Sequence, residues 1–125
     1  MLNLRYRPFW LAASAVLVLG VVWGRLQTAL GGEVPQGFDK VEHFGTDLFL
    51  AVWCTGLIAR KRWWLVAATL LLLGAAMEAG QYIMQAGRTA DAYDMAANTA
   101  GIAAGLLLAA LLTGGWAQRI ESWLR

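Results

Sequence analysis

Residues 60–84 open with Arg60-Lys61-Arg62-Trp63-Trp64, continue as LVAATLLLLGAAM over 65–77, and close with Glu78-Ala79-Gly80-Gln81-Tyr82-Ile83-Met84. A triple cation, a tryptophan pair and a long apolar run describe a helix entering a bilayer. About 20 residues cross the hydrocarbon core, within a range of about 17–25, and indole rings favour the membrane–water interface. Glu78 is the one charge inside the run, and it falls toward the far end.

Three further apolar runs surround this one: Phe9–Gly24, Phe44–Ala59 and Met95–Trp116. The first two are short, so flanking residues such as Pro8, Leu26 and His43 complete their crossings. The expected fold is an all-α membrane protein, one domain over 1–125. Its four transmembrane helices fall at about 9–26, 43–59, 63–84 and 93–114, followed by a short amphipathic tail over 116–125. Arg5 and Arg7 ahead of the first run also resemble a secretory leader, but Leu30-Gly31-Gly32 makes a poor cleavage site, so that run reads as a retained helix.

Composition agrees. Charged residues are 14% of the chain and the AVILMFWYC set 59%, against about 25% charged in soluble domains. That excludes disorder, a disulfide scaffold and a typical water-soluble enzyme. The net charge is +2, but the cations are scattered and form no stripe that nucleic acid could follow. Cys54, alone in an apolar run, reads as a small buried hydrophobe.

The positive-inside rule orients the chain. With the N-terminus cytoplasmic, Arg5, Arg7, Arg60, Lys61, Arg62, Arg119 and Arg125 lie inside, while Arg25, Lys40 and Arg88 lie outside. Trp10, Trp63, Trp64 and Trp116 then occupy the inner interface. Trp116, Ile120, Trp123 and Leu124 follow helical spacing, so the tail is expected to lie on the inner leaflet. Both termini are inside (N-in/C-in).

The remaining polar residues gather toward the outer loops. Asp39, His43 and Asp47 recur every four residues and share one face of the second helix. A rise of about 1.5 Å per residue puts Asp47 roughly 12 Å below Asp39. Glu78, Gln81 and Gln85 fall within about 60° on the third helix. Asp91, Asp94, Asn98, Gly101 and Gly105 fall within about 80° on the fourth, where the glycines permit close helix approach. A charge at mid-bilayer costs about 2.5–3.5 kcal/mol on insertion scales, so these groups should face one another. Arg88, Lys40 and a protonated His43 would sit among Asp39, Asp47, Glu78, Asp91 and Asp94.

The pattern Asp39-Lys40-x-x-His43-Phe44, then Glu78-x-x-Gln81, then Gly87-Arg88 with Asp94, Asn98, Gly101 and Gly105, resembles the VanZ-like family. These are small bacterial integral membrane proteins named for a member associated with teicoplanin resistance. The resemblance spans Asp39 to Gly105. It implies a multi-pass protein of the bacterial inner (cytoplasmic) membrane, a link to antibiotic tolerance, and Asp39, Lys40, His43, Glu78, Gln81, Arg88, Asp94, Asn98 and Gly101 as the family positions. Asp47 stands where members often carry a tyrosine, and Asp91 is not characteristic; both add negative charge.

The expected site is an outward-facing polar pocket between helices two, three and four, bound by Asp39, Lys40, His43, Glu78, Gln81, Arg88, Asp94 and Asn98. It would engage an anionic or amide-bearing envelope molecule, a lipid-linked precursor or a glycopeptide, with Arg88 and Lys40 holding an anionic group and Glu78 and His43 acting on it or orienting it. In a catalytic alternative Glu78 is a general base and His43 a general acid, with Arg88 stabilising developing charge in hydrolysis or phosphoryl transfer on a lipid head group. In a structural alternative the cluster is a helix clasp, with Glu78 tied to Arg88 or Lys40 and Asn98 bridging helices, in a homo-oligomer or a partner of envelope enzymes. Asp39, His43, Glu78 and Asp94 are plausible metal ligands, yet one histidine and no cysteine cage argue against zinc. No metal and no cofactor are expected. Ser14 and Ser122 lie far from the cluster, so no nucleophile is expected either.

Overall fold

The computed structural model describes residues 1–31, 37–84 and 92–124. Among these residues all regular structure is helical. α1 covers Arg7–Gly31, α2 Phe38–Leu57, α3 Trp63–Met84, α4 Ala92–Leu108 and α5 Trp116–Trp123. A 3₁₀ turn, Arg60–Arg62, leads into α3, and a π-helical turn, Ala109–Thr113, closes α4.

The third helix has the expected bounds, while others extend. α1 continues past 26 to Gly31 because no breaker precedes the Gly31-Gly32 pair. α2 starts at Phe38 rather than near 43. Asp39 suits a first helical turn through the macrodipole, and Lys40 and Glu42 are good helix formers that lower hydropathy without opposing the helix. Gly37, at φ 87°, makes the left-handed turn just before it.

Among the described residues three helical stretches are long and apolar enough to cross a membrane: Arg7–Leu26, Arg60–Met84 and Ala92–Trp123. α2 is not one of them, since Asp39, Lys40, Glu42 and Asp47 crowd its first half. It buries one face in the protein, with His43, Asp47, Leu50, Ala51, Thr55, Gly56 and Leu57, and leaves Phe38, Val41, Phe44 and Phe49 exposed on the other. The outward residues Val16, Leu19, Leu72, Ile83 and Leu107 remain exposed on α1, α3 and α4, a surface that suits lipid rather than water.

Leu50 and Ala51 of α2, Val66 and Leu70 of α3 and Ile102 of α4 form the central apolar core, onto which Leu17, Val18 and Val21 of α1 pack. Lipid tails are as apolar as leucine, so close fit rather than dehydration holds membrane helices together. α2 and α4 show that fit. A Cβ added to Gly101 would run into the carbonyl oxygen of Phe44, and one added to Gly105 would lie 2.7 Å from the oxygen of Leu48. The two glycines, four apart, let the backbones meet.

A second cluster, Leu4, Trp10, Leu57 and Ala117 with Trp53, Trp116 and Ile120 around it, sits at the other end of α2. It corrects the expectation that the tail simply lies on the leaflet. Trp116 occupies the space a Gly56 side chain would need, and its Nε1 donates to the carbonyl of Val52 at 3.1 Å. Glu121, buried on α5, accepts hydrogen bonds from the backbone N–H groups of Arg5 (2.7 Å) and Tyr6 (2.9 Å) and from Trp10 Nε1 (2.8 Å). A carboxylate thus satisfies N–H groups just ahead of α1, where the helix dipole also favours negative charge. Trp116 and Ile120 are therefore held by the protein, and Trp10 is buried rather than interfacial. Of the expected amphipathic stripe only Trp123 and Leu124 face outward, at 81% and 64% exposure.

Candidate functional site

The polar cluster begins on α1. Arg25 lies on the face that carries Val21 and Val18, four and seven residues before it, so it points inward with the core-packing side chains. Its Nη2 pairs with Asp47 Oδ2 at 3.1 Å, and the two side chains are 3% and 2% exposed. The same nitrogen lies 3.4 Å from the backbone oxygen of His43 and 3.4 Å from Asn98 Oδ1. One guanidinium thereby joins α1, α2 and α4. Gln81 of α3 adds a fourth helix by donating Nε2 to the backbone oxygen of Arg25 at 3.2 Å.

Toward the acidic end of α2, His43 Nδ1 is 3.0 Å from Asn98 Oδ1. That oxygen also receives Arg25, so it is the acceptor and Nδ1 carries the proton. The other ring nitrogen, Nε2, then faces Glu78 Oε1 of α3 at 3.9 Å. Asp94 stands one helical turn from Asn98 on α4, and ligand atoms of His43, Glu78 and Asp94 all lie within 4.8 Å of one another. Lys40 reaches in from the rim, its Nζ 3.2 Å from both Asp39 Oδ2 and Asp94 Oδ1. The fully buried Asn98 is seated against Gly74, where an added Cβ would come 2.8 Å from its Nδ2.

The structure thus brings together Asp39, Lys40, His43, Glu78, Gln81, Asp94 and Asn98. Arg88, with Gln85 and Asp91, lies outside the described residues. Two expectations are corrected. Arg25, counted among the outer loop cations, is the buried partner of Asp47, and the cluster is built on four helices rather than on helices two, three and four. Burial explains both: a carboxylate as enclosed as Asp47 requires a cation at contact distance, and α1 is the helix that delivers one. The spacing of Arg25 from Val21, Val18 and Leu17 was the available signal.

The cluster has two parts. Arg25, Asp47 and Asn98 form an inner tie in which donors meet acceptors. His43, Glu78 and Asp94 form an outer group of three lone-pair donors from three helices. By donor type and separation this trio could hold a divalent cation, with His43 oriented by Asn98 as metal-bound imidazoles are oriented by a carbonyl. Asp39, also considered as a ligand, turns to Lys40 instead.

A family model described as VanZ/LLP1 matches residues 3–113. The chain belongs to the VanZ/LLP1 family. No curated protein and no solved structure matches it. With three helices of crossing length, this VanZ/LLP1 member is a membrane protein. Its matched region contains all four helices that build the cluster.

Proposed function

We propose that this VanZ-like chain is a multi-pass protein of the bacterial inner membrane, with both termini cytoplasmic, that engages a cell-envelope molecule at the outer part of its polar cluster. The convergence of buried His43, Glu78 and Asp94 from three helices carries the reading. A clasp alone needs donors against acceptors, which the Arg25–Asp47–Asn98 tie already supplies. The outer trio adds a second set of acceptors from three helices, one of which, Asp94, is also bound to Lys40 at 3.2 Å. Such a set suits the amide, hydroxyl or ammonium groups of a lipid-linked cell-wall precursor or a glycopeptide. Arg25 and Lys40 are held by carboxylates, so these polar groups, rather than an anionic one, are the part of the ligand recognised.

The charge distribution supports the orientation. Arg5, Arg7, Arg60, Lys61, Arg62 and Arg119 lie at the end opposite the cluster, which the positive-inside rule keeps cytoplasmic. The cluster then lies toward the envelope side, where such ligands are met, and family membership agrees with a contribution to glycopeptide tolerance.

The test is teicoplanin susceptibility of a sensitive host expressing wild type, His43→Ala or Glu78→Gln at equal membrane abundance, paired with titration of purified protein with teicoplanin and with a polyprenyl-linked muropeptide. The reading expects raised tolerance with wild type, loss of it with both variants, and binding of at least one probe that Glu78→Gln weakens. Equal susceptibility of all strains together with no binding of either probe refutes it.

A further inference from the structure

A recess lies at the end of the molecule opposite the polar cluster. It has a volume of about 270 Å³ and is bounded by Ile58 and Thr55 of the α2 end, Arg60 and Trp63 at the entry to α3, the π-helical turn, and Arg119 of α5. Two of its walls are cationic. Arg119 is fixed in place, donating Nη1 to the oxygen of Leu112 and Nη2 to that of Gly114, each at 3.1 Å. Arg60 stands over the ring of Trp63 at 5.6 Å, and Trp63 is itself anchored by its Nε1 on the oxygen of Ile58 at 3.0 Å. Among the described residues neither arginine has an acidic partner. Among the described residues the carboxylate at this end is that of Glu121, which is buried and turned to Arg5, Tyr6 and Trp10. Thr113 Oγ1, between the lining residues Leu112 and Gly114, is buried with no hydrogen-bond partner among the described residues.

We propose that this recess binds the head group of an anionic phospholipid in the adjoining leaflet. Arg60 and Arg119 would take the phosphodiester. A guanidinium offers forked donors to phosphate oxygens, and holding Arg119 in advance lowers the entropy lost on binding. The apolar walls of Ile58, Trp63 and Leu112 suit the glycerol and the first acyl carbons. Location agrees, because the recess lies where the apolar runs of α3 and α4 end and the basic turn begins. Basic pockets between helices at that depth recognise anionic head groups.

Native mass spectrometry of the detergent-purified chain with dioleoylphosphatidylglycerol tests the proposal, with dioleoylphosphatidylcholine and inorganic phosphate as the other probes. The expected result is a phosphatidylglycerol adduct at least severalfold tighter than the phosphatidylcholine one, and none with phosphate alone. Arg60→Gln should weaken it about fivefold, as loss of one basic contact near a membrane surface implies. Arg62→Gln makes the same charge change outside the recess and should leave it within about twofold. Among the described residues the Arg60 side chain makes no hydrogen bond, and its backbone oxygen, which accepts from the Trp63 N–H, is untouched by the exchange, so the variant reads binding. Equal weakening by Arg60→Gln and Arg62→Gln, equal binding of the two lipids, or an equal adduct with free phosphate would each overturn the proposal.

Discussion

Replacing Asp47 by asparagine keeps the shape of the side chain and removes the charge that faces Arg25. The guanidinium stays in place, 3% exposed, with contacts of 3.4 Å to the His43 backbone oxygen and to Asn98 Oδ1. Breaking a buried ion pair from one side costs about 3–5 kcal/mol in soluble proteins, because the remaining charge is left uncompensated. In bilayers single hydrogen-bond deletions are smaller, averaging about 0.6 kcal/mol, since the unfolded helices also find partners. A full charge with two residual neutral acceptors falls between these limits, and about 2–4 kcal/mol is expected for Asp47→Asn. The double replacement Arg25→Leu with Asp47→Leu removes both charges. Asn98 Oδ1 keeps its contact with His43 Nδ1, and Gln81 keeps the Arg25 backbone oxygen, so no new buried polar group is orphaned. The double variant should lie within about 1 kcal/mol of wild type. Titration with sodium dodecyl sulfate in nonionic micelles, followed by far-ultraviolet circular dichroism, measures all three. An Asp47→Asn protein within about 0.5 kcal/mol of wild type, or a double variant as unstable as the single one, would refute the assignment of this pair as the inner tie.

Two further predictions concern packing and the tail. Gly101→Ala drives a methyl group into the Phe44 carbonyl and should destabilise by about 1–3 kcal/mol, whereas Gly80→Ala, with nothing within 4 Å of its new Cβ, should be neutral or stabilising by up to about 1 kcal/mol; the same detergent titration ranks them. Glu121→Gln keeps one acceptor for the three donors now bound by the carboxylate and removes the charge near the start of α1, so a loss of about 1–2 kcal/mol is expected. Faster amide hydrogen exchange at Arg5 and Tyr6 would locate that loss, and unchanged exchange there would contradict it.

The apolar runs read directly as helices wherever hydropathy and helix propensity agree, which is why α3 has the bounds its sequence announces. They part company at the start of α2, where Lys40 and Glu42 are helix formers that look like loop. The acidic and amide stripe was legible because helical periodicity alone puts Asp39, His43 and Asp47 on one face, and Asp94 and Asn98 on another. Arg25 was harder to place. Its position near a helix end matched a loop cation, and only the continuation of α1 to Gly31 sets it about a turn and a half inside the helix. The seat of Trp116 on Gly56 and the contacts of Glu121 join residues far apart in sequence, and no local pattern encodes them.

Moving Arg25 from loop to cluster also changes what the site can recognise. With Arg25 outside, Asp47 would be a surplus carboxylate that drew in a cationic ligand or took up a proton. With Arg25 bonded to it, the inner tie is neutral as a unit, and the acidity of the outer group is carried by Glu78, facing the imidazole of His43, and by Asp94, bound to Lys40. The two parts can therefore be separated by mutation. Changes at Arg25 or Asp47 should alter how firmly α1 is held to α2 and α4, while changes at Glu78 or His43 should alter what is bound. A ligand effect that followed Asp47→Asn at unchanged stability would mean that the inner tie belongs to the binding site.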